Sequence, residues 1–97
     1  MIDITREEGA TKGRYIARVA DNDAVGELTY SKLGKDKVIA DHTEVPESLR
    51  GRGIAQALVE RLISDARAQG FTIVPLCPFV RSQYARHPEW SDVMEAW

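Results

Sequence analysis

The sequence predicts an α/β domain built on one mixed (α+β) sheet, with antiparallel strands first and a strand–helix–strand unit after them. Three observations favour this fold class. Short segments of alternating apolar and polar residues fill the first half of the chain, between turns rich in Gly and Asp. A long amphipathic segment follows them, and a short apolar segment comes next. With 97 residues the chain suits one domain, so we assign residues 1–97 to it.

Four strands are predicted before the helix, at residues 2–6, 15–20, 24–32 and 37–45. The segments between them, at residues 9–13, 21–23 and 34–36, contain the Gly, Asp and Asn residues typical of tight turns. Because short turns join neighbouring strands in opposite directions, we expect these four strands to form an antiparallel meander.

Residues 51–69 form the predicted helix, with Ile54, Leu58 and Leu62 on its apolar side and Gly70 as its C-cap. The apolar segment at residues 71–76 is expected to be a strand buried on both faces. It should run parallel to the fourth strand, as in a βαβ crossover.

The chain beyond the fifth strand is predicted to contain a short helix at residues 79–86, which ends at His87 before Pro88. We interpret His87 as a structural residue. A terminal segment at residues 89–96 follows, and we expect Trp90 and Trp97 to cover the core.

Composition and charge exclude several classes of function. Thirteen basic residues against fifteen acidic ones give a net charge of -2, which argues against a nucleic-acid-binding domain. No apolar run approaches the roughly 18–20 residues of a membrane span, and the first ten residues lack the pattern of a secretory signal, so we expect a cytoplasmic protein. Cys77 is the only cysteine and the chain has two histidines, so neither a disulfide nor a metal site is predicted.

The segment between the fourth strand and the helix predicts an anion site. It reads Arg50-Gly51-Arg52-Gly53-Ile54-Ala55. The first turn of a helix has unpaired N–H groups, and glycines allow an anion to approach the backbone closely. Arginine side chains add charge and donors suited to phosphate. The loop lacks the Gly-Lys-Ser/Thr of a nucleoside triphosphate site and the third Gly of a dinucleotide site, so another phosphate-containing ligand is expected.

The same six residues match the Arg/Gln-x-x-Gly-x-Gly/Ala signature of the GNAT superfamily of acetyl-CoA-dependent N-acetyltransferases. The series His42-Thr43-Glu44-Val45, Pro75-Leu76-Cys77-Pro78-Phe79-Val80, Tyr84 and His87-Pro88-Glu89 is also similar to a group of small, single-domain GNAT-like proteins. The resemblance covers nearly the whole chain. It implies a minimal GNAT-like acyl-CoA N-acyltransferase fold, in which the two parallel strands splay apart.

The resemblance implies acetyl-CoA or coenzyme A as co-substrate, without a metal. Main-chain amides of the loop are expected to hold the coenzyme A pyrophosphate; its residues are Arg50, Gly51, Arg52, Gly53, Ile54 and Ala55. The end of the preceding strand, at Thr43, Glu44 and Val45, is expected to run along the pantetheine arm. The thioester is then expected to sit where the parallel strands separate.

Four side chains are candidates for catalysis. Cys77 is either a nucleophile that accepts the acetyl group or a small buried apolar residue. His42 could deprotonate the incoming amine or the Cys77 thiol, or could be a hydrogen-bonded strand residue, and Glu44 is the second choice as base. Tyr84 resembles the tyrosine that protonates the leaving thiolate, and could equally pack with Phe79 against the sheet.

The chain departs from the superfamily pattern at residues 9–13, which are too few to hold the helices that usually help to form the acceptor site. The acceptor side should therefore be shallow and open, or completed by another molecule. The leading interpretation is an N-acetyltransferase whose amine acceptor, from a protein or peptide, is not defined by the sequence. The alternatives are a non-catalytic coenzyme A or acyl-CoA sensor and a domain whose basic loop binds an acidic protein surface.

Overall fold

A five-stranded sheet in the order β1-β2-β3-β4-β5 is the framework of the protein, in a computed structural model that describes residues 1–95. The strands are β1 (Ile2–Glu8), β2 (Lys12–Val19), β3 (Asn22–Lys32), β4 (Lys37–Glu44) and β5 (Thr72–Pro75). The first four pair antiparallel, and β5 pairs parallel to β4. The predicted meander and crossover are therefore confirmed. Trp97 and the end of the predicted terminal segment, Ala96, lie outside the described residues.

Two connections are shorter than predicted, because the strands extend into the predicted turns. The β1–β2 connection consists of residues 9–11, and the Gly9 N–H donates to the Lys12 carbonyl at 2.7 Å. Val19 pairs directly with Asn22, so the β2–β3 turn is formed by residues 20–21 rather than 21–23. Asn22 Oδ1 accepts a hydrogen bond from the Ala24 N–H at 2.9 Å, which fixes the start of β3.

The first helix, α1 (Ile54–Gln69), begins three residues later than predicted. Gly51 and Gly53 have φ angles of 81° and 75°, in the left-handed region that a right-handed helix excludes. At the other end Gly70 caps the helix as predicted, with φ of 78° and its N–H donating to the Ala66 carbonyl at 2.9 Å. The two glycines thus place the loop outside the helix.

The core lies on one face of the sheet. Tyr15, Leu28 and Tyr30 on this face are at most 1% exposed and pack with the apolar side of α1. The second helix, α2 (Pro78–Arg86), lies beside α1 and against β4 and β5, one residue longer than predicted at its start. The predicted role of Trp90 is confirmed, because it is 6% exposed and belongs to the core. In the part of the chain that the structure describes, the other face of the sheet carries no helix.

The parallel strands separate after a short shared segment. Their last pair is Ala40 with Pro75, and residues 42–44 of β4 pair with β3 alone. The predicted splay of β4 and β5 is therefore present. A bulge at Asp41 interrupts the register with β3 and fixes which side chains beyond it face the core.

The fifth strand is shorter than the predicted 71–76 and is not buried on both faces, which corrects that expectation. Ile73 and Pro75 are buried, whereas Val74 points to the helix-free face and is half-buried. The terminal segment contains a 3-10 turn at Pro88–Asp92, after which Ile73 bridges to Met94. This bridge adds main-chain partners at the edge of β5 that alternation along the sequence does not reveal.

Candidate active site

The loop before α1 presents a row of main-chain donors. Among residues 1–95, no backbone or side-chain acceptor is found for the N–H groups of residues 51–56. A Cβ built on Gly51 or Gly53 would meet nothing within 4 Å, so open space lies beside both residues. These amides stand at the positive end of a 16-residue helix. The loop is therefore able to bind an anion through its backbone.

The two arginines of the loop have different surroundings. Arg52 donates from Nη1 and Nη2 to the two carboxylate oxygens of Asp21, both at 2.9 Å. This bidentate hydrogen bond to Arg52 lowers the pKa of Asp21 and raises that of Arg52. Arg50 is exposed, and its guanidinium makes no hydrogen bond to any of residues 1–95. Arg50 is thus the arginine available to an incoming anion.

A cavity of about 260 Å³ opens beside the loop, between α1 and α2. Gly51, Gly53 and Ile54 line it on one side, while Phe79 and Gln83 line it from α2. Sequence reasoning did not identify Gln83 as a site residue. The sequence does contain a signal that could have indicated it: Gln83 follows Phe79 by four residues on the second helix, so both side chains lie on one helical face.

Cys77 lies at the point where β4 and β5 separate. Its N–H donates to the Ala40 carbonyl at 2.9 Å, and its Sγ is 3.4 Å from Thr43 Oγ1. Cys77 is 2% exposed and belongs to the core. The structure therefore brings together two residues that the sequence had assigned to different roles, Thr43 and Cys77.

His42 and Glu44 lie on the other side of β4. Thr43 and its cross-strand partner Leu28 belong to the core face. Because side chains alternate along a strand, His42 and Glu44 point to the helix-free face, where both are exposed. The two predicted bases therefore share a face, as expected. The structure does not bring His42 together with Cys77, because the sheet lies between their side chains, and the expected transfer of the Cys77 proton to His42 lacks the contact it needs.

Tyr84 is half-buried on α2 and packs against the core, and the structure provides no hydrogen bond to its hydroxyl among residues 1–95. His87 ends α2, with its N–H donating to the Tyr84 carbonyl at 3.0 Å. Its ring stacks on Trp90 with 4.4 Å between centroids. The structural interpretation of His87 agrees with these contacts.

A second, larger cavity of about 700 Å³ lies at the edge of the helix-free face. Its lining includes Glu7, Arg14, Thr29 and Asp41. Arg14 is bridged to Glu7 and to Glu27, at 2.9 and 2.7 Å. This shallow cavity lies on the helix-free face of the sheet. The short β1–β2 connection leaves that face uncovered.

Two other features are not found in the part of the chain that the structure describes, a metal-ligand cluster and a membrane-spanning helix. Within residues 1–95, no group of three or more His, Cys, Asp or Glu side chains could hold a metal ion. No helix in the same range is long and apolar enough to cross a membrane.

The fold and the loop together define a two-layer α+β domain with a turn of unpaired main-chain donors at the start of its central helix. The family model described as GCN5-related N-acetyl-transferase matches residues 14–93. The chain therefore belongs to the GCN5-related N-acetyltransferase family, and its α+β fold is the one that the sequence predicted.

Two similar proteins agree with this assignment. Protein NATD1 of Xenopus tropicalis is 31% identical over 61 residues, which cover 63% of this chain. The match spans 56% of that relative's length. A GCN5-like protein of Staphylococcus aureus, solved by NMR, has a TM-score of 0.70 at 24% identity, covering 98% of this chain and 89% of that one. The structural likeness supports the fold.

Proposed function

We propose that the protein is an N-acetyltransferase that binds acetyl-CoA through residues 50–55 and transfers the acetyl group to an amine acceptor. The observation that carries this proposal is the row of unpaired N–H groups at the start of α1, beside two glycines with open space around them. A diphosphate needs several convergent donors, and backbone amides at a helix N-terminus supply them without side-chain desolvation. Family membership gives the reaction class.

In this proposal the pyrophosphate binds to Arg50, Gly51, Arg52, Gly53, Ile54 and Ala55, and the pantetheine arm follows residues 43–45. Beyond Ala40 this part of β4 is paired on the β3 side only, so its other edge has free main-chain groups. The arm can pair with that edge as an added strand would. The thioester then lies near the separation of β4 and β5.

Direct transfer is the route that the geometry favours. Glu44 and His42 are exposed on the helix-free face, where an amine can approach without crossing the core. Either side chain can take the amine proton as the nitrogen attacks the thioester carbonyl, and Tyr84 can protonate the coenzyme A thiolate that leaves. Glu44→Gln and His42→Gln are each expected to reduce kcat about 10²-fold or more if that residue is the base.

An acetyl-Cys77 intermediate is the competing route. In it the Cys77 thiolate attacks the thioester carbonyl, coenzyme A leaves as a thiol, and the amine then takes the acetyl group from the new thioester. Against this route, Cys77 is 2% exposed, and among residues 1–95 the one hydrogen-bond partner of its Sγ is Thr43. Intact-mass measurement after mixing with acetyl-CoA distinguishes the routes: we expect no acetyl adduct, and an adduct that Cys77→Ala removes would establish the intermediate.

The test of the proposed function is calorimetric titration with acetyl-CoA and with coenzyme A, followed by transfer assays over a panel of amines and basic peptides. Saturable binding with transfer is the expected result. Binding without transfer to any amine would favour the second candidate, a coenzyme A or acyl-CoA sensor. The observation that favours this candidate is the sheet face on which no helix lies within residues 1–95. Absence of binding to either ligand would contradict both and leave a protein partner for the basic loop.

A further inference from the structure

Gln83 is a buried polar side chain with no partner in the described structure. It is 8% exposed, and among residues 1–95 it is the one polar or charged residue in the buried class. Its carboxamide makes no hydrogen bond to any of these residues. The carboxamide oxygen and nitrogen nevertheless remain accessible to solvent. The carboxamide therefore faces the cavity between α1 and α2, which Gln83 lines.

The Gln83 carboxamide is open to the cavity, so water can pair with it until a ligand takes that place. Glutamine is a residue that rarely occurs this buried. An apolar residue of similar size, such as Leu or Met, would fill the same helix position, so the amide chemistry itself is the feature to explain.

The cavity lining combines two kinds of group. Arg50 and the unpaired amides of the glycine turn suit negative charge, whereas the side chains of Val45, Ile54 and Phe79 suit hydrocarbon. Gln83 is neutral and lies one helical turn from Phe79, so it matches a polar group within a mainly hydrocarbon ligand segment better than it matches a phosphate.

We propose that the Gln83 carboxamide recognises an amide group of the pantetheine arm of acetyl-CoA, with Phe79 packing on the adjacent hydrocarbon. A primary carboxamide and a secondary amide can exchange two hydrogen bonds, since each has both a donor and an acceptor. The inference rests on the proposed function and adds to it a residue of α2, outside the loop signature, that selects for an amide-containing arm.

The test compares Gln83→Met with wild type by calorimetric titration of acetyl-CoA. Methionine keeps the length and most of the volume but cannot hydrogen-bond as an amide does, so the Kd should rise about three- to tenfold. Gln69→Met, at the far end of α1, is the matched control and should leave the Kd unchanged. Thermal unfolding of both variants checks that they fold.

A spectroscopic measurement identifies the moiety. In 15N-edited NMR spectra the side-chain carboxamide signals of Gln83, assigned by their loss in Gln83→Met, should shift when acetyl-CoA is added. ADP at millimolar concentration should shift amide signals of the Gly51–Gly53 turn and leave those of Gln83 in place. A Gln83 shift on addition of ADP would overturn the assignment to pantetheine.

The two proposals fail in different ways. If wild type does not bind acetyl-CoA, the proposed function fails and this inference with it. If wild type binds and Gln83→Met binds equally well, the inference alone is wrong. Should Gln83→Met not fold, Gln83→Glu keeps the shape and the acceptor but loses the donors, and an unchanged Kd in that variant would have the same meaning.

Discussion

At the scale of single residues, the site depends on which polar groups are already paired. Arg50 and Arg52 are equivalent in the sequence signature, yet Asp21 holds Arg52 through two hydrogen bonds of 2.9 Å. A side chain engaged in this way must share or give up its partner before it can bind a phosphate. In the proposed function, the arginine left free to pair with a phosphate is therefore decided by a residue of the β2–β3 turn.

We expect Arg50→Ala to weaken acetyl-CoA binding by about 1.5 to 3 kcal/mol, the range for hydrogen bonds to charged groups. Arg52→Ala should weaken it by less, because the Arg52 guanidinium is already paired with Asp21. Calorimetric titration of both variants is the measurement. A larger loss for Arg52→Ala would mean that the Asp21 pair opens when the ligand binds.

Glu8 determines part of the pH dependence of stability. Its carboxylate accepts hydrogen bonds from Lys32 Nζ at 2.6 Å and from the Tyr30 hydroxyl at 2.6 Å. These bonds, Lys32 first, lower the pKa of Glu8 from 4.5 to about 2. Because the folded-state pKa is the lower one, the unfolded chain binds the proton more tightly, so the stabilisation is present above about pH 4.5 and is lost as the pH falls toward about 2.

Urea unfolding between about pH 5 and pH 2 tests this dependence. Wild type should lose unfolding free energy steadily over that interval, and Glu8→Gln should lose less because it has no carboxylate to protonate. Glu60→Gln, on the exposed side of α1, is the matched control and should follow wild type. Parallel curves for wild type and Glu8→Gln would show that the Glu8 contacts do not persist in solution.

At the scale of elements, the position of α1 over the sheet sets the position of the loop. Gly26 on β3 allows the first turn of the helix to come close, since a Cβ there would lie 2.7 Å from Ile54 Cγ2 and 3.5 Å from Leu58 Cδ1. Ile54 follows directly after Gly53 in the glycine turn. Packing in the core is thereby connected to the geometry of the proposed anion site.

We expect Gly26→Ala to destabilise the protein by about 1–3 kcal/mol through overpacking, and to weaken acetyl-CoA binding by moving the start of α1. Ile54→Leu removes the Cγ2 methyl that the new Cβ would meet, so the double variant should recover part of both losses. Urea unfolding and calorimetric titration of the two single variants and the double variant form a cycle. If the losses of the two single variants simply add in the double variant, the contact between residue 26 and Ile54 Cγ2 does not link stability to acetyl-CoA binding.

At the scale of the whole molecule, the sheet separates two sides of different chemistry. The loop, the cavity between the helices and Cys77 belong to the helix-covered side, while His42, Glu44 and the larger cavity belong to the uncovered side. In the proposed function the acyl donor is held from the first side, and the amine arrives from the second. The short β1–β2 connection, residues 9–11, is the structural reason why the second side is open.

A substitution on the uncovered face should therefore affect the acceptor alone. Thr29 is paired with His42 on that face, so Thr29→Arg places a bulky cation beside the proposed base. We expect the Kd of acetyl-CoA to stay within about twofold of wild type, as for most surface changes, and transfer to basic peptides to fall. A loss of acetyl-CoA binding in this variant would contradict the separation of the two sides.

The sequence by itself determined the elements, their order and the glycine turn before α1, because alternation, helical periodicity and glycine placement are local properties of the chain. It predicted the meander, the parallel fifth strand and the turn at Gly51 and Gly53. It misplaced the ends of elements, as at residues 51–53, where the left-handed glycines keep the helix from starting.

Only the tertiary structure decided which side chains meet. It placed Thr43 rather than His42 beside Cys77, because the bulge at Asp41 and the alternation of β4 fix the face of each residue. It paired Arg52 with a turn 31 positions earlier in the chain and aimed Gln83 into the cavity next to the loop. These contacts join residues far apart in sequence, and their geometry depends on how the helices pack on the sheet.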